Sequence, residues 1–477
     1  MREAALQAYL DRAHPERRGA LPSSGALLLL TLTLVAGSPP TGADPELEGP
    51  WTGRADASPV PLEVELELEV EDGSWHGSVS IPSQGMPGLP ADHVDVHEDS
   101  VTVAFEDFIE LRLHRDGERL IGTLDGPEGE MDVELARPDT PAAEEWEEAI
   151  ARALEKFRAE PLEPVREGAG LDRVDSDALE HLLEEARASN STSLVVLHDG
   201  ELVGEWHSGG EPRRVESMSV TKAVLNLVAG RLHTLGELDS LDMPVHRVYP
   251  EWSDGRRSEI TVRHLLTHTS GLESPVPAFP IYESDDFVRF ALESPLEEDP
   301  GTEFRYNNVG TNLLAGVLGE LAGEPVDGFA QGDLFSQLGI TDVEWTRDPA
   351  GNPHGMAGLQ IQAQDLARLG QLALQDGEWE GEQLIDPEWF RKSLRPGSPH
   401  SDEVGLLWFL LWEDDREGEG EPVGFTHSGD LGQYLVVYPD EGLVGVRMVE
   451  SSPAYHAETD AFMDFSDLLR DLAPDDG

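Results

Sequence analysis

The sequence predicts a small all-β domain followed by a larger mixed α/β (α+β) domain with a mostly antiparallel sheet. Three observations predict it. Residues 62–70 place Leu62, Val64, Leu66, Leu68 and Val70 at every second position with glutamates between them, so one face is buried and the other solvated. Further short runs at 101–105, 110–114, 120–124 and 131–135 are accompanied by Asp116-Gly117 and Asp125-Gly126, both good tight-turn signals. Strand-like pairs at 194–206 and 424–438 then bracket a block of helical patterns, which suits a sheet packed with helices.

At 477 residues the chain is long enough for two or three domains with a full-sized core. It carries 95 Asp and Glu against 33 Lys and Arg, a formal charge of −62. Such a surface repels nucleic acid and anionic membranes, and neither is expected as a partner. An acidic, lysine-poor surface suits a salt-rich environment in which the repulsion is screened, so halophilic behaviour is expected. A part in attracting cationic substrates is a secondary reading. There are no cysteines, which removes disulfides, thiol nucleophiles and Cys-ligated zinc together.

In chain order, residues 1–43 read as an export signal. Arg2, Arg12, Arg17 and Arg18 precede an apolar run at 26–36, and small residues and prolines continue from there to Ala43. The run is too short to span a bilayer, so no stable membrane span is expected. The alternative is a buried helix, and Glu3, Asp11 and Glu16 make the leading region atypical. Export to the periplasm or exterior is the expectation. Residues 47–137 form the β-rich domain, an antiparallel meander or small barrel with no clustered polar chemistry. It reads as a packing or substrate-shielding accessory domain, with ligand binding as the alternative. Residues 138–170 read as a helical linker: a charged helical segment, then a proline- and glycine-containing connection over 161–170. The larger domain is expected over 171–475.

Its chemistry centres on residues 217–231. Val224, Leu225, Leu227 and Val228 are dense enough for a buried helix, and Ser219 stands at its head. There, backbone N–H groups lack partners within the helix. Lys222 is three residues on and shares a helix face with Ser219, so its amine can reach the hydroxyl. A serine is a poor nucleophile until a neighbouring base takes its proton, and burial keeps an amine neutral enough to do so. Ser-x-x-Lys is a short pattern that chance also produces, so it gains weight only from partners elsewhere in the chain.

Three further stretches bear on it. His264 and His268 are four apart, like a zinc-binding helix pair, but Leu265 stands where that pattern needs glutamate, and local pairing is the expected role. Tyr306 can shuttle protons if a cation stands beside it, and Asn308 offers both a donor and an acceptor to an amide. Alone, Tyr306 reads more readily as a core aromatic with a satisfied hydroxyl. His427, Ser428 and Gly429 lie in a strand pair with a turn between, where glycine lets a substrate approach the backbone.

Ser219-x-x-Lys222, Tyr306-x-Asn308 and His427-Ser428-Gly429 together resemble the three motifs of the serine β-lactamase and penicillin-binding-protein superfamily, in its order. The chain looks most like the esterase, class C β-lactamase and D-aminopeptidase branch. The stretches 263–272 and 355–372 are similar to the family as well, and the resemblance covers roughly 170–475. It implies a β-lactamase/transpeptidase-like domain with a helical subdomain, and a serine hydrolase working through an acyl-enzyme. Ser219 would be the nucleophile, with Lys222 and Tyr306 sharing the acid and base work. Asn308, His427, Ser428 and Gly429 would hold substrate, and the backbone N–H groups of Ser219 and Asp430 would form the oxyanion hole. No separate glutamate for deacylation stands out, which leaves that step to Tyr306. No cofactor or metal is implied. His427 departs from the lysine common in β-lactamases and weakens the case for β-lactams and carboxylate-ended peptides. Small-molecule esters, amides and D-amino-acid derivatives stay open as substrates. The rival reading is an inactive relative that binds peptide or cell-wall fragments. The 47–137 segment also looks like an accessory domain attached to some such hydrolases.

Overall fold

The computed structural model describes residues 47–473 apart from 57–61, 72, 82–85, 106–108, 127–128, 139, 158–161, 277, 414–419, 451–454 and 456–459. The expected export signal at 1–43 lies outside the described residues. The chain divides into two compact units: residues 1–158 with 451–459, and residues 159–450 with 460–477.

The first unit is one nine-stranded antiparallel sheet. Its strands are β1 (Gly49–Ala55), β2 (Leu62–Glu71), β3 (Ser74–Ile81), β4 (Met86–Pro90), β5 (His93–His97), β6 (Ser100–Phe105), β7 (Ile109–Asp116), β8 (Arg119–Gly126) and β9 (Gly129–Ala136). Their order is β4-β3-β2-β1-β9-β8-β7-β6-β5. The two edge strands, β4 and β5, are joined by only two residues, so the sheet has to curl until its edges meet, as in a small barrel. The alternation read from the sequence is realised: Leu62, Val64, Leu66 and Leu68 are buried, while Glu65 and Glu69 are exposed. Helix α1 (Pro141–Phe157) completes the unit.

The second unit is a mixed α/β domain around a seven-stranded antiparallel sheet. It contains β10 (Leu162–Glu167), β11 (Ser193–His198), β12 (Glu201–Ser208), β18 (Phe409–Leu411), β19 (Gly424–Gly429), β20 (Gln433–Tyr438) and β21 (Leu443–Met448), in the order β10-β12-β11-β21-β20-β19-β18. Two small sheets accompany it: β13 (Val215–Glu216), β14 (Glu344–Trp345) and β15 (Leu359–Ile361), and the hairpin β16 (Glu378–Trp379) with β17 (Glu382–Gln383). The segment expected as a connection over 161–170 is a correction: Leu162–Glu167 pairs with β12 as an edge strand. Pro164 is tolerated there because an edge strand leaves one row of backbone groups unpaired.

Strands β11, β20 and β21 are buried at every position. Helices cover both sheet faces, which is why their sequences run apolar without alternation. On one face α2 (Ser176–Ala188) and the C-terminal helix pack against Leu194, Val196, Tyr434 and Val436. On the other, Val195, Leu197, Leu435 and Val437 join the main core. That core surrounds α3 (Thr221–Leu235), buried from Thr221 to Gly230 and again at Leu232. Burying Val224, Leu225, Leu227 and Val228 stabilises by about 1.5–3 kcal/mol each. The helix stops at Gly236, whose φ of 81° suits a left-handed cap. Among the described residues no helix is long and apolar enough to cross a membrane.

Candidate active site

The candidate site lies wholly within the second unit, where three chain segments meet. The first is the turn Met218–Val220, which leads directly into α3. Met218 takes a left-handed φ of 48° immediately before Ser219. The second is the segment entering α5, defined here as Asn308–Ala322, with α4 as Val262–Leu266. Asn307 caps α5, accepting from Gly310 N at 2.6 Å, and its own amide donates to Leu272 O. That cap fixes Tyr306 beside it. The third segment is the end of β19 and the tight turn Asp430–Gly432.

Ser219 Oγ is the meeting point. Lys222 Nζ and the Tyr306 hydroxyl each lie 2.9 Å from it. Lys222 Nζ also donates to Met356 O at 2.7 Å, and it sits 4.9 Å from the centre of the Tyr306 ring. The lysine is completely buried, and desolvation holds its amine well below the usual 10.5. No carboxylate pairs with it among the described residues. Desolvation thus acts in favour of the neutral amine, the form that can accept the serine proton.

Supporting groups fix these positions. Asn312 Oδ1 accepts from Gly355 N at 2.8 Å and Met356 N at 3.1 Å, so it orients the carbonyl that receives Lys222. His268 Nδ1 accepts from Asn307 N at 3.1 Å, and its ring lies 4.7 Å from that of Tyr306. Burial pushes His268 well below its ordinary value, and it is neutral. His264 Nδ1 accepts from Thr261 N in a helix-capping arrangement, so it pairs locally as expected, whereas His268 takes its partner from Asn307, far along the chain. No group of residues able to hold a metal occurs among the described residues.

The sequence-selected residues come together unequally. Ser219, Lys222 and Tyr306 are directly joined. His427 connects through Phe409, whose ring lies 6.5 Å from Tyr306 and 5.3 Å from His427. Its Nδ1 faces Ser428 O at 2.8 Å and must carry the hydrogen there, because a carbonyl only accepts. Burial lowers His427 to about 3, so it is neutral with a bare Nε2 that has no partner among the described residues. Asn308 heads α5, and its Oδ1 likewise has no partner there. Ser428 pairs with Tyr434 across β19 and β20. A Cβ on Gly429 would stand 2.7 Å from Ser217 O and 3.0 Å from Met218 Cβ, so glycine lets this strand end abut the nucleophile segment. Asp430 comes next in the chain, and its carboxyl is pushed up by desolvation. No hydrogen bond joins Asn308, His427, Ser428 or Asp430 directly to Ser219 among the described residues.

Sequence reading passed over Asn312, Phe409 and the Met356 carbonyl. Met356 lies in the 355–372 stretch that resembles the family. The other two carry no local signal, since their partners are distant in sequence.

A model of the Beta-lactamase family matches residues 176–465. The esterase EstB of Burkholderia gladioli is 30% identical over 204 residues, 36% of this chain and 50% of that protein. The chain therefore spans half the length of this relative. The 6-aminohexanoate-dimer hydrolase of Paenarthrobacter ureafaciens is 24% identical over 292 residues, 54% of this chain and 74% of that one. Among solved structures, one described as a putative beta-lactamase from Bacteroides dorei superposes with a TM-score of 0.54 at 19% identity, covering 63% of this chain and 99% of that one. At that identity the likeness speaks for the fold.

Proposed function

The chain belongs to the Beta-lactamase family of serine hydrolases, and from that premise we propose that it cleaves ester or amide bonds through an acyl-enzyme on Ser219. The observation that carries this reading is the pair of 2.9 Å approaches to one oxygen, a buried amine and a phenol both reaching Ser219 Oγ. A structural serine needs neither.

In the proposed cycle Ser219 Oγ attacks the substrate carbonyl and passes its proton to Lys222. The carbonyl oxygen becomes an oxyanion, held by the backbone N–H groups of Ser219 and Asp430, each such donor contributing about 3 kcal/mol. As the intermediate collapses, the bond to the leaving group breaks, and the proton travels through Lys222 and Tyr306 to that group. Water then attacks the ester, gives its proton to the same pair, and Ser219 leaves reprotonated. Asn308, Ser428 and Gly429 would orient the substrate. Neutral His427 offers an acceptor nitrogen rather than a positive charge, which argues against a substrate carboxylate at this point and favours esters and amides over β-lactams.

The division into an export signal over 1–43, an accessory β domain over 47–137 and a hydrolase domain over 171–475, to which the edge strand at 162–167 is added, belongs to the same proposal, as do export and a salt requirement. The test is intact mass after a fluorophosphonate, for wild type and Ser219→Ala, alongside turnover of chromogenic esters and a penicillin. An adduct confined to wild type, with ester turnover, is expected. A folded wild type that takes no adduct and turns over nothing would favour the inactive binding relative.

A further inference from the structure

The turn that carries the Asp430 N–H has a shape its sequence does not favour. It joins β19 to β20 through Asp430, Leu431 and Gly432, directly after Gly429, the residue that abuts Ser217 and Met218. Leu431 and Gly432 both take left-handed φ values, 62° and 82°. Glycine suits such a position and leucine does not, because the leucine Cβ crowds the neighbouring backbone. Asp430 Oδ1 accepts from Leu431 N at 3.0 Å, a bond between neighbours that does not tie the turn to the rest of the domain.

That tie comes from Arg447 on β21, which is fully buried. Its Nη1 donates to Gly432 O at 2.6 Å and to Leu431 O at 3.1 Å. Its Nη2 donates to Ser189 O at 2.6 Å and Asp460 O at 2.8 Å, and its Nε to Ser191 Oγ at 2.9 Å. One planar fork thus fastens the turn to the segment after α2 and to the C-terminal stretch, with an acceptor for each N–H direction. The Phe462 ring centre lies 5.7 Å from the guanidinium carbon. Gly432 belongs to the arrangement, since a Cβ there would stand 2.4 Å from Arg447 Nη1 and 2.6 Å from Ala461 O. A buried charge is weak evidence for stability, because well-packed apolar residues often serve as well or better. What an apolar side chain cannot do is fix the direction of two carbonyls.

We propose that Arg447 is a positioning residue for the oxyanion hole: by gripping the Leu431 and Gly432 carbonyls it aims the Asp430 N–H at the developing oxyanion. The proposal rests on the serine hydrolase reading and deepens it.

The test compares wild type with Arg447→Lys on 4-nitrophenyl acetate and its thiono counterpart, in which C=S replaces C=O, in molar KCl. Lysine keeps the charge and loses the fork. Sulfur is a weak acceptor, so the ratio of the two rates, normalised to their ratio with hydroxide, reads the oxyanion donors rather than overall stability. Wild type should favour the oxygen ester by more than about tenfold. In Arg447→Lys, kcat for the oxygen ester should fall by about 10²-fold and that for the thiono ester far less, with KM little changed and a native near-ultraviolet circular dichroism spectrum. Ser191→Ala withdraws an acceptor from the guanidinium away from the turn. It should lower the ratio in the same direction by less, and it carries the test if Arg447→Lys does not fold. A folded variant that slows both esters equally, or neither, makes Arg447 purely structural and overturns the proposal. A wild type whose Ser219 takes a fluorophosphonate but which shows no oxygen preference removes the positioning role and leaves the nucleophile standing. If Ser219 labels but neither ester reacts, the labelling rate takes their place, since the phosphonyl oxygen uses the same donors; equal rates in wild type and variants overturn the proposal. If wild type takes no label and turns over neither ester, the hydrolase reading fails and the positioning role falls with it.

Discussion

Replacing Lys222 by methionine separates chemistry from stability in a way that few substitutions allow. The amine is fully buried with no carboxylate paired to it among the described residues, and burial holds it below its ordinary 10.5. The unfolded chain keeps the ordinary value. Between the folded pKa and 10.5 the unfolded state therefore binds one proton more than the folded state. Stability then rises with pH, by about 1.4 kcal/mol per pH unit while the unfolded lysine is fully protonated. Wild type therefore gains stability from this group as pH rises through that window. Lys222→Met removes the titration. It also removes the donor to Met356 O, a constant cost that does not depend on pH. The β unit is common to both proteins and cancels in their difference. Urea unfolding at fixed molar KCl should show wild type gaining on the variant by up to about 1.4 kcal/mol per pH unit between about pH 8 and about pH 10, while the variant loses turnover. A gap that stays constant with pH would mean the amine is charged in the folded state. Lys222 could then not take the serine proton, and the proposed mechanism would fail at its first step.

Tyr306→Phe keeps the ring against His268 and removes only the hydroxyl 2.9 Å from Ser219 Oγ. It should lower kcat by about 10²–10⁴-fold with little change in unfolding midpoint, and stopped-flow ester turnover reads it. Asn226 donates to Ser393 Oγ and Leu406 O and accepts from Trp389 Nε1 and Trp408 Nε1, all buried. Asn226→Leu strands these groups and should cost about 3 kcal/mol or more, measured by urea unfolding. Gly429→Ala sets a Cβ against Ser217 O and Met218, and it should depress kcat/KM far more than the unfolding midpoint, since the strain falls on the nucleophile segment. With 95 acidic against 33 basic residues, unfolding midpoints should rise from low to molar salt, and thermal scans that show no rise would end the halophilic reading.

Five strands of the first unit were legible because Leu62 to Val70 alternate and Asp-Gly turns punctuate the later strands, whereas β1, β3, β4 and β5 were not singled out. Helix α3 was legible because its apolar residues crowd every face. Ser219, Lys222 and Tyr306 were found by motif, although a motif cannot say that atoms from positions 219 and 306 come within 2.9 Å. Strand β10 was missed because proline and glycine near 161–170 signal a connection, whereas an edge strand accepts proline. Asn312 and Phe409 were missed for another reason. What each does depends on a partner brought near only by folding: the Met356 amide for one, the His427 ring for the other.

Three non-glycine residues around the nucleophile stand in the left-handed region: Met218 at φ 48°, His268 at 54° and Leu431 at 62°. Each such conformation costs about 1–3 kcal/mol and persists only where its surroundings enforce it. The enforcing contacts come from separate parts of the unit. Gly429 lies against Met218, Asn307 N donates to His268, and Arg447 donates to the Leu431 carbonyl. The site thus behaves like a sprung latch, set only while the whole frame is closed. Turnover should accordingly serve as a gauge of cooperativity for this unit. It should vanish in step with the release of buried side chains, and a loosened chain that keeps its helices should be catalytically silent.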